Sequence, residues 1–134
     1  MDETAADVEV RRERLNGVSR RIIGCAYTVA NELGYGFLEK VYENALAFEL
    51  RRAGLKADQQ VPLKVRYRGV IVGDYTAGIL VQDEVLVELK SASGTDDAHL
   101  AQGLNYLKAT ELRLCLLINF GTPKVDIKRI VRDF

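Results

Sequence analysis

Apolar residues recur at every third or fourth position up to Gly54 and at every second position immediately after it. A chain that changes period in this way must lay helices against a sheet, because neither element buries its apolar side alone. Leu15, Val18, Ile22, Cys25, Val29 and Leu33 form one helical face, and Gly34-Tyr35-Gly36 ends that helix. Phe37, Val41, Ala45 and Phe48 lie along one face of a second helix, stopped by Gly54. Residues 1 to about 12 are polar and carry no apolar period, so they read as a flexible lead-in. That leaves 13–134 as a single domain.

Beyond Gly54, Val61, Leu63, Val65 and Tyr67 alternate with Lys64, Arg66 and Arg68, the pattern of a half-buried strand. Gly69 makes a tight return into Val70–Val81, and the turn Gln82-Asp83-Glu84 leads to a third strand over Val85–Leu89. Asp96 or Asp97 caps a helix running to about Ala109. Leu112–Asn119 suits a buried strand, and Gly121-Thr122-Pro123 separates it from a last one over Val125–Val131. The order α-α-β-β-β-α-β-β predicts an α/β fold: a mixed sheet flanked by helices, with a crossover helix before the fourth strand. At 134 residues the chain has material for one core, not two.

Nineteen basic and nineteen acidic residues cancel, so a whole-molecule positive field is absent and any nucleic-acid contact must use a local patch. Two cysteines in apolar surroundings, Cys25 and Cys115, read as buried free thiols of a reducing compartment. One histidine, His99, rules out a His/Cys zinc site, leaving only a hard cation held by carboxylates. No apolar run approaches the roughly 18 residues of a membrane span. The first eight residues lack the basic-then-apolar pattern of a secretory signal. A cytoplasmic location is expected.

The segment Val85-Leu-Val-Glu88-Leu-Lys90 carries the most chemistry. Alternate residues of a strand share a face, so Glu88 and Lys90 project together, roughly 6.6 Å apart, while Val85, Val87 and Leu89 face the core. Such a pair either holds a divalent ion beside a water or forms an ion pair on a solvated face. His99, Gln102 and Tyr106 share one side of the crossover helix, as a phosphate contact or as a polar stripe packed on the sheet. Arg11, Arg12, Arg14, Arg20, Arg21, Arg51, Arg52, Lys56, Lys64, Arg66 and Arg68 offer phosphate contacts. Acidic residues interrupt them, and no aromatic platform is evident among them.

Gly36-Phe-Leu-Glu39-Lys-Val-Tyr42 resembles the signature of the GxxExxY proteins, a branch of the PD-(D/E)XK nuclease-like superfamily. The likeness continues through Val87-Glu88-Leu-Lys90, His99, Gln102, Asn105-Tyr-Leu-Lys108, Leu116-Leu-Ile-Asn-Phe120 and Ile127-Lys-Arg-Ile130. It implies a restriction-endonuclease-like α-β-β-β-α-β core, here with an extra N-terminal helix and a C-terminal strand. It also implies a hydrolase that cleaves phosphodiesters with Mg2+ or Mn2+. Glu88 and Glu39 would then be metal ligands and Lys90 would orient the attacking water. Tyr42, one turn from Glu39, would hydrogen-bond that carboxylate, with Gln102 and His99 in support.

Two positions depart from the family pattern: Thr76 stands where it has an arginine and Gly78 where it has the motif aspartate. The motif aspartate falls in Tyr75-Thr-Ala-Gly78-Ile-Leu-Val81, where glycine stands in its place. Asp74 is roughly 13 Å away along the strand and Asp83 lies past the turn, so neither substitutes. The expectation is a metal-dependent phosphodiesterase of DNA or RNA, weakened or silenced by Gly78. The alternative is a non-catalytic pseudoenzyme that binds nucleic acid or a protein partner. A third reading has an exposed sheet edge forming a homodimer.

Overall fold

The computed structural model describes residues 2–134. Its elements are α1 (Ala5–Leu33), α2 (Glu39–Arg52), β1 (Ala57–Tyr67), β2 (Val70–Val81), β3 (Val85–Lys90), α3 (Asp97–Thr110), β4 (Leu114–Asn119) and β5 (Asp126–Val131). The strands form one sheet in the order β1-β2-β3-β4-β5. Every neighbouring pair is antiparallel except β3 and β4, which run parallel and are joined by the α3 crossover. This is the mixed, helix-flanked α/β sheet that the change of period predicts.

Alternate residues of the central strands serve two faces. Val85, Val87 and Leu89 of β3, with Leu114, Leu116 and Ile118 of β4, pack against Leu15, Ile22, Val29, Leu46 and Leu50 of α1 and α2. Leu86 and Cys115 turn to the other side, where Tyr106 and Leu107 of α3 meet them. Helices cover both faces, so all six residues of β4 are buried and its sequence is apolar without alternation. Burial pushes the Cys115 thiol up to about 12. Cys25 is only half-buried, and both thiols are free. Among the described residues no helix is long and apolar enough to cross a membrane.

Two expectations need correction. The flexible lead-in is helical from Ala5 onward. Thr4 and Asp7 close a reciprocal capping box at its start, each accepting the other's backbone N–H at 3.1 Å. Arg11 and Arg12 each donate to the Phe134 carbonyl at 2.8 Å. The stretch has no apolar period because polar contacts hold it. On α2 the buried face is Tyr42, Glu43, Leu46, Ala47 and Leu50, not the stripe through Phe37, Val41 and Phe48. The helix carries two apolar stripes, and the one that meets Phe120 and α1 goes inside.

β1 and β2 pair along their whole length, but β3 joins β2 only at Ile79–Val81. Residues 61–77 therefore form a two-stranded ribbon that projects beyond the sheet over α3. Where the ribbon leaves the sheet, side-chain parity reverses. Ile79 and Val81 belong to the α1–α2 core, whereas Ala77, two residues earlier, belongs to the α3 core. β1 does the same between Ala57 and Leu63. The pivot is Gln60, whose φ is +54°, opposite Gly78.

Candidate active site

Glu88 sits on β3 with only 8% of its surface exposed. One Glu88 Oε1 accepts the Gly78 N–H at 3.2 Å. Burial raises its carboxyl to about 7; the Gly78 N–H and then the Lys90 ammonium oppose this, while Glu39 and Glu43 add to it. Lys90 is half-buried two residues on, along the same face. Glu88 and Lys90 thus share a face of β3, in surroundings that bury Glu88 instead of leaving it on a solvated face.

The end of β3 is tied to the start of α2. Ser91 Oγ donates to the Phe37 carbonyl at 2.8 Å. Gly34 and Gly36 take φ values of +69° and +113° in the intervening turn, a backbone that side chains resist. Tyr42 locks that turn: its hydroxyl donates to the Gly34 carbonyl at 2.6 Å and accepts the Phe37 N–H at 3.3 Å. Its ring stacks on Phe120 at 4.6 Å. Tyr42 therefore points inward and staples the turn; it does not bond Glu39, which is exposed at the first position of α2. The spacing of glycine, glutamate and tyrosine records a turn followed by its staple.

Glu43, which the sequence reading passed over, is the buried carboxylate of α2, at 5% exposure. It accepts from Lys40 Nζ at 2.8 Å, Gln59 Nε2 at 2.6 Å and Gln60 Nε2 at 2.5 Å. The signal available was its place one residue after Tyr42, on the second apolar stripe of α2. A β-carbon built on Gly78 would lie 3.1 Å from the Val87 carbonyl oxygen, 3.3 Å from Leu89 Cδ1 and 4.0 Å from Glu43 Oε1. Position 78 thus faces Glu43 and the α2 side. Asp74 and Asp83 hold Lys64 and Lys56, each at 2.9 Å.

These donors do not make a shell for Mg2+ or Mn2+. A hard cation needs several oxygen ligands in near-octahedral array. Glu43 is occupied by three donors, position 78 supplies no side chain, and Glu39 stands exposed at the helix start. Among the described residues no three acidic, His or Cys side chains are arranged to hold a cation.

α3 presents the remaining expected residues. His99 completes the α3 capping box, its Nδ1 accepting the Asp96 N–H at 3.3 Å while Asp96 accepts the His99 N–H at 3.0 Å. These bonds fix its ring at the start of α3. Gln102 Nε2 donates to the Tyr106 hydroxyl at 2.9 Å. Tyr106 backs the Glu88 side of the sheet, and the Tyr75 ring is tilted against it at 5.9 Å. Between the ribbon and α3 runs a groove of about 1060 Å³, lined by Lys64, Arg66, Tyr75, Gln102, Asn105 and Lys108 among others. The ribbon brings Tyr75, an exposed aromatic ring, into the same groove as Lys64, Arg66 and Lys108. Several other basic residues are committed elsewhere: Arg14 to Glu84, Arg51 to the Ala57 carbonyl, and Arg21 to the Ala53 carbonyl.

A mixed sheet covered by helices on both faces, with a Glu-x-Lys strand beside the turn into α2, is a nuclease-like fold. Residues 16–130 match the model of the PD-(D/E)XK nuclease superfamily, and the chain belongs to it. The fold is similar to the structure titled SSO0001 (TM-score 0.53, 16% identity, 72% of this chain and 51% of that one). It is also similar to an alkaline exonuclease from Laribacter hongkongensis (TM-score 0.54, 15% identity, 99% of this chain and 73% of that one). The chain spans about half of the first of these structures. No curated protein matches it in sequence.

Proposed function

We propose that this chain is a nucleic-acid-binding member of the superfamily, of its GxxExxY branch, in which phosphodiester cleavage is silenced or strongly weakened. The observation that carries the reading is the Glu88–Gly78 contact. Where the motif brings two carboxylates together, a single one accepts a backbone N–H; of the other acidic groups that act on it, Glu39 is exposed at the start of α2 and Glu43 is engaged by Lys40, Gln59 and Gln60. Glu88, Glu39 and Lys90 remain the residues that the family pattern assigns to cleavage. The groove supports retained binding, since Lys64, Arg66 and Lys108 stand along it beside Tyr75.

A cleavage assay in Mn2+ on single- and double-stranded DNA and RNA tests this, comparing wild type with Glu88→Ala and Gly78→Asp. Wild type is expected to cut no faster than Glu88→Ala while still binding nucleic acid. Gly78→Asp is expected to stay silent as well, because its carboxylate enters on the Glu43 side. Wild-type cleavage that Glu88→Ala abolishes would overturn the reading. A protein partner is the second reading, favoured by the exposed Phe37, Leu38, Val41 and Phe48 around the start of α2.

A further inference from the structure

The groove between the β1–β2 ribbon and α3 is specific about the form of nucleic acid it can take. We infer that it binds a single strand, with an unpaired base stacked on Tyr75 and the backbone led past Lys64, Arg66 and Lys108. This deepens the binding reading above and rests on it.

Three observations carry the inference. Tyr75 is 50% exposed and lines the groove, its ring tilted at 58° to that of Tyr106 with centroids 5.9 Å apart, so that part of the ring is open to a stacking partner. A base inside a duplex already has neighbours on both faces; only an unpaired base has a face free to stack there. Second, Gln102 and Asn105 line the α3 wall facing the ribbon, and Gln102 donates to the Tyr106 hydroxyl. Side-chain amides offer a donor and an acceptor together, which suits a Watson–Crick edge that no partner strand occupies. Third, the space is a bounded groove of about 1060 Å³ between a ribbon and a helix. A chain of a few nucleotides can thread such a groove, whereas a duplex would have to rest on its rim.

The charge is arranged to match. Lys64 and Arg66 of β1 and Lys108 near the end of α3 all border the groove. Lys64 is partly neutralised by Asp74 at 2.9 Å. Arg66 and Lys108 are therefore the stronger phosphate contacts.

Fluorescence anisotropy in metal-free buffer tests the assignment, using labelled oligo-dT, oligo-rU and a blunt duplex with wild type, Tyr75→Ala, Tyr75→Phe and Arg66→Ala/Lys108→Ala. Wild type is expected to bind both single strands more tightly than the duplex. Tyr75→Ala should weaken single-strand binding about tenfold or more, while Tyr75→Phe, which keeps the ring, stays near wild type. The double variant should flatten the salt dependence by about 0.7 in log–log slope per lost phosphate contact. Thermal melting of each variant separates lost stacking from lost folding, and Tyr75→Phe reports the ring even if Tyr75→Ala is unstable. Preference for the duplex, or indifference to Tyr75→Ala in a folded variant, would overturn the single-strand assignment and leave nucleic-acid binding standing. No binding to any of the three probes would overturn both.

Discussion

Glu88 concentrates the tension of the site in one side chain. Its carboxyl is held up to about 7, chiefly by burial, against an ordinary value of 4.5. The folded state therefore retains a proton that the unfolded chain releases. Stability is greatest where both states are protonated and declines as pH rises from about 4.5 through 7, by an amount on the order of 3 kcal/mol. Glu88→Gln removes the ionisation while keeping an oxygen for the Gly78 N–H. The variant should melt appreciably higher than wild type at pH 8 and close to it at pH 5, as read by thermal melting. A gap that stays constant with pH would show that Glu88 does not titrate in this window. Glu43 poses the opposite case, since its three donors satisfy it. Glu43→Ala should cost about 1–3 kcal/mol in urea unfolding, because the Gln59 and Gln60 amides lose their buried acceptor. Glu88 and Lys90 stood out in the sequence because a charged pair interrupted an apolar strand. Glu43 did not, because its importance depends on which of two apolar stripes of α2 turns inward, and periodicity is the same for both.

Element by element, the limits of all three helices' apolar cores and of most strands were legible, since glycines and turn residues mark them. The start of α1 was not: a capping box and contacts to the other end of the chain leave no apolar trace. The ribbon was also hidden. Alternation in Val61–Tyr67 reads as a half-buried strand of the sheet, yet only Leu63 of those apolar residues is fully buried. Which strand continues alongside another is a tertiary fact that local pattern does not carry. Because 61–77 has a partner on one side only, it should open independently of the sheet. Native-state hydrogen exchange is expected to show amides of Lys64–Asp74 exchanging through small local openings, with those of β3 and β4 exchanging only on global unfolding. Equal protection in both would show that the ribbon is part of one cooperative unit.

At the scale of the whole molecule, the two ends of the chain are fastened together. Arg11 and Arg12 grip the Phe134 carbonyl, and Arg129 lies 4.6 Å over the Phe134 ring. Phe134→Ala should lower stability by about 1 kcal/mol, a fall of about 3–5 °C in melting temperature. The fold class followed from the sequence because the period of apolar residues is a property of whole layers. The metal question did not, because it turns on one reversal of parity in a ribbon. That reversal also bears on redesign. An aspartate introduced at position 78 would arrive on the Glu43 side of the strand pair, adding repulsion before adding any ligand. Bringing it round to Glu88 would require both strands to roll over while Gln59, Gln60 and Glu43 release one another. One substitution alone does neither.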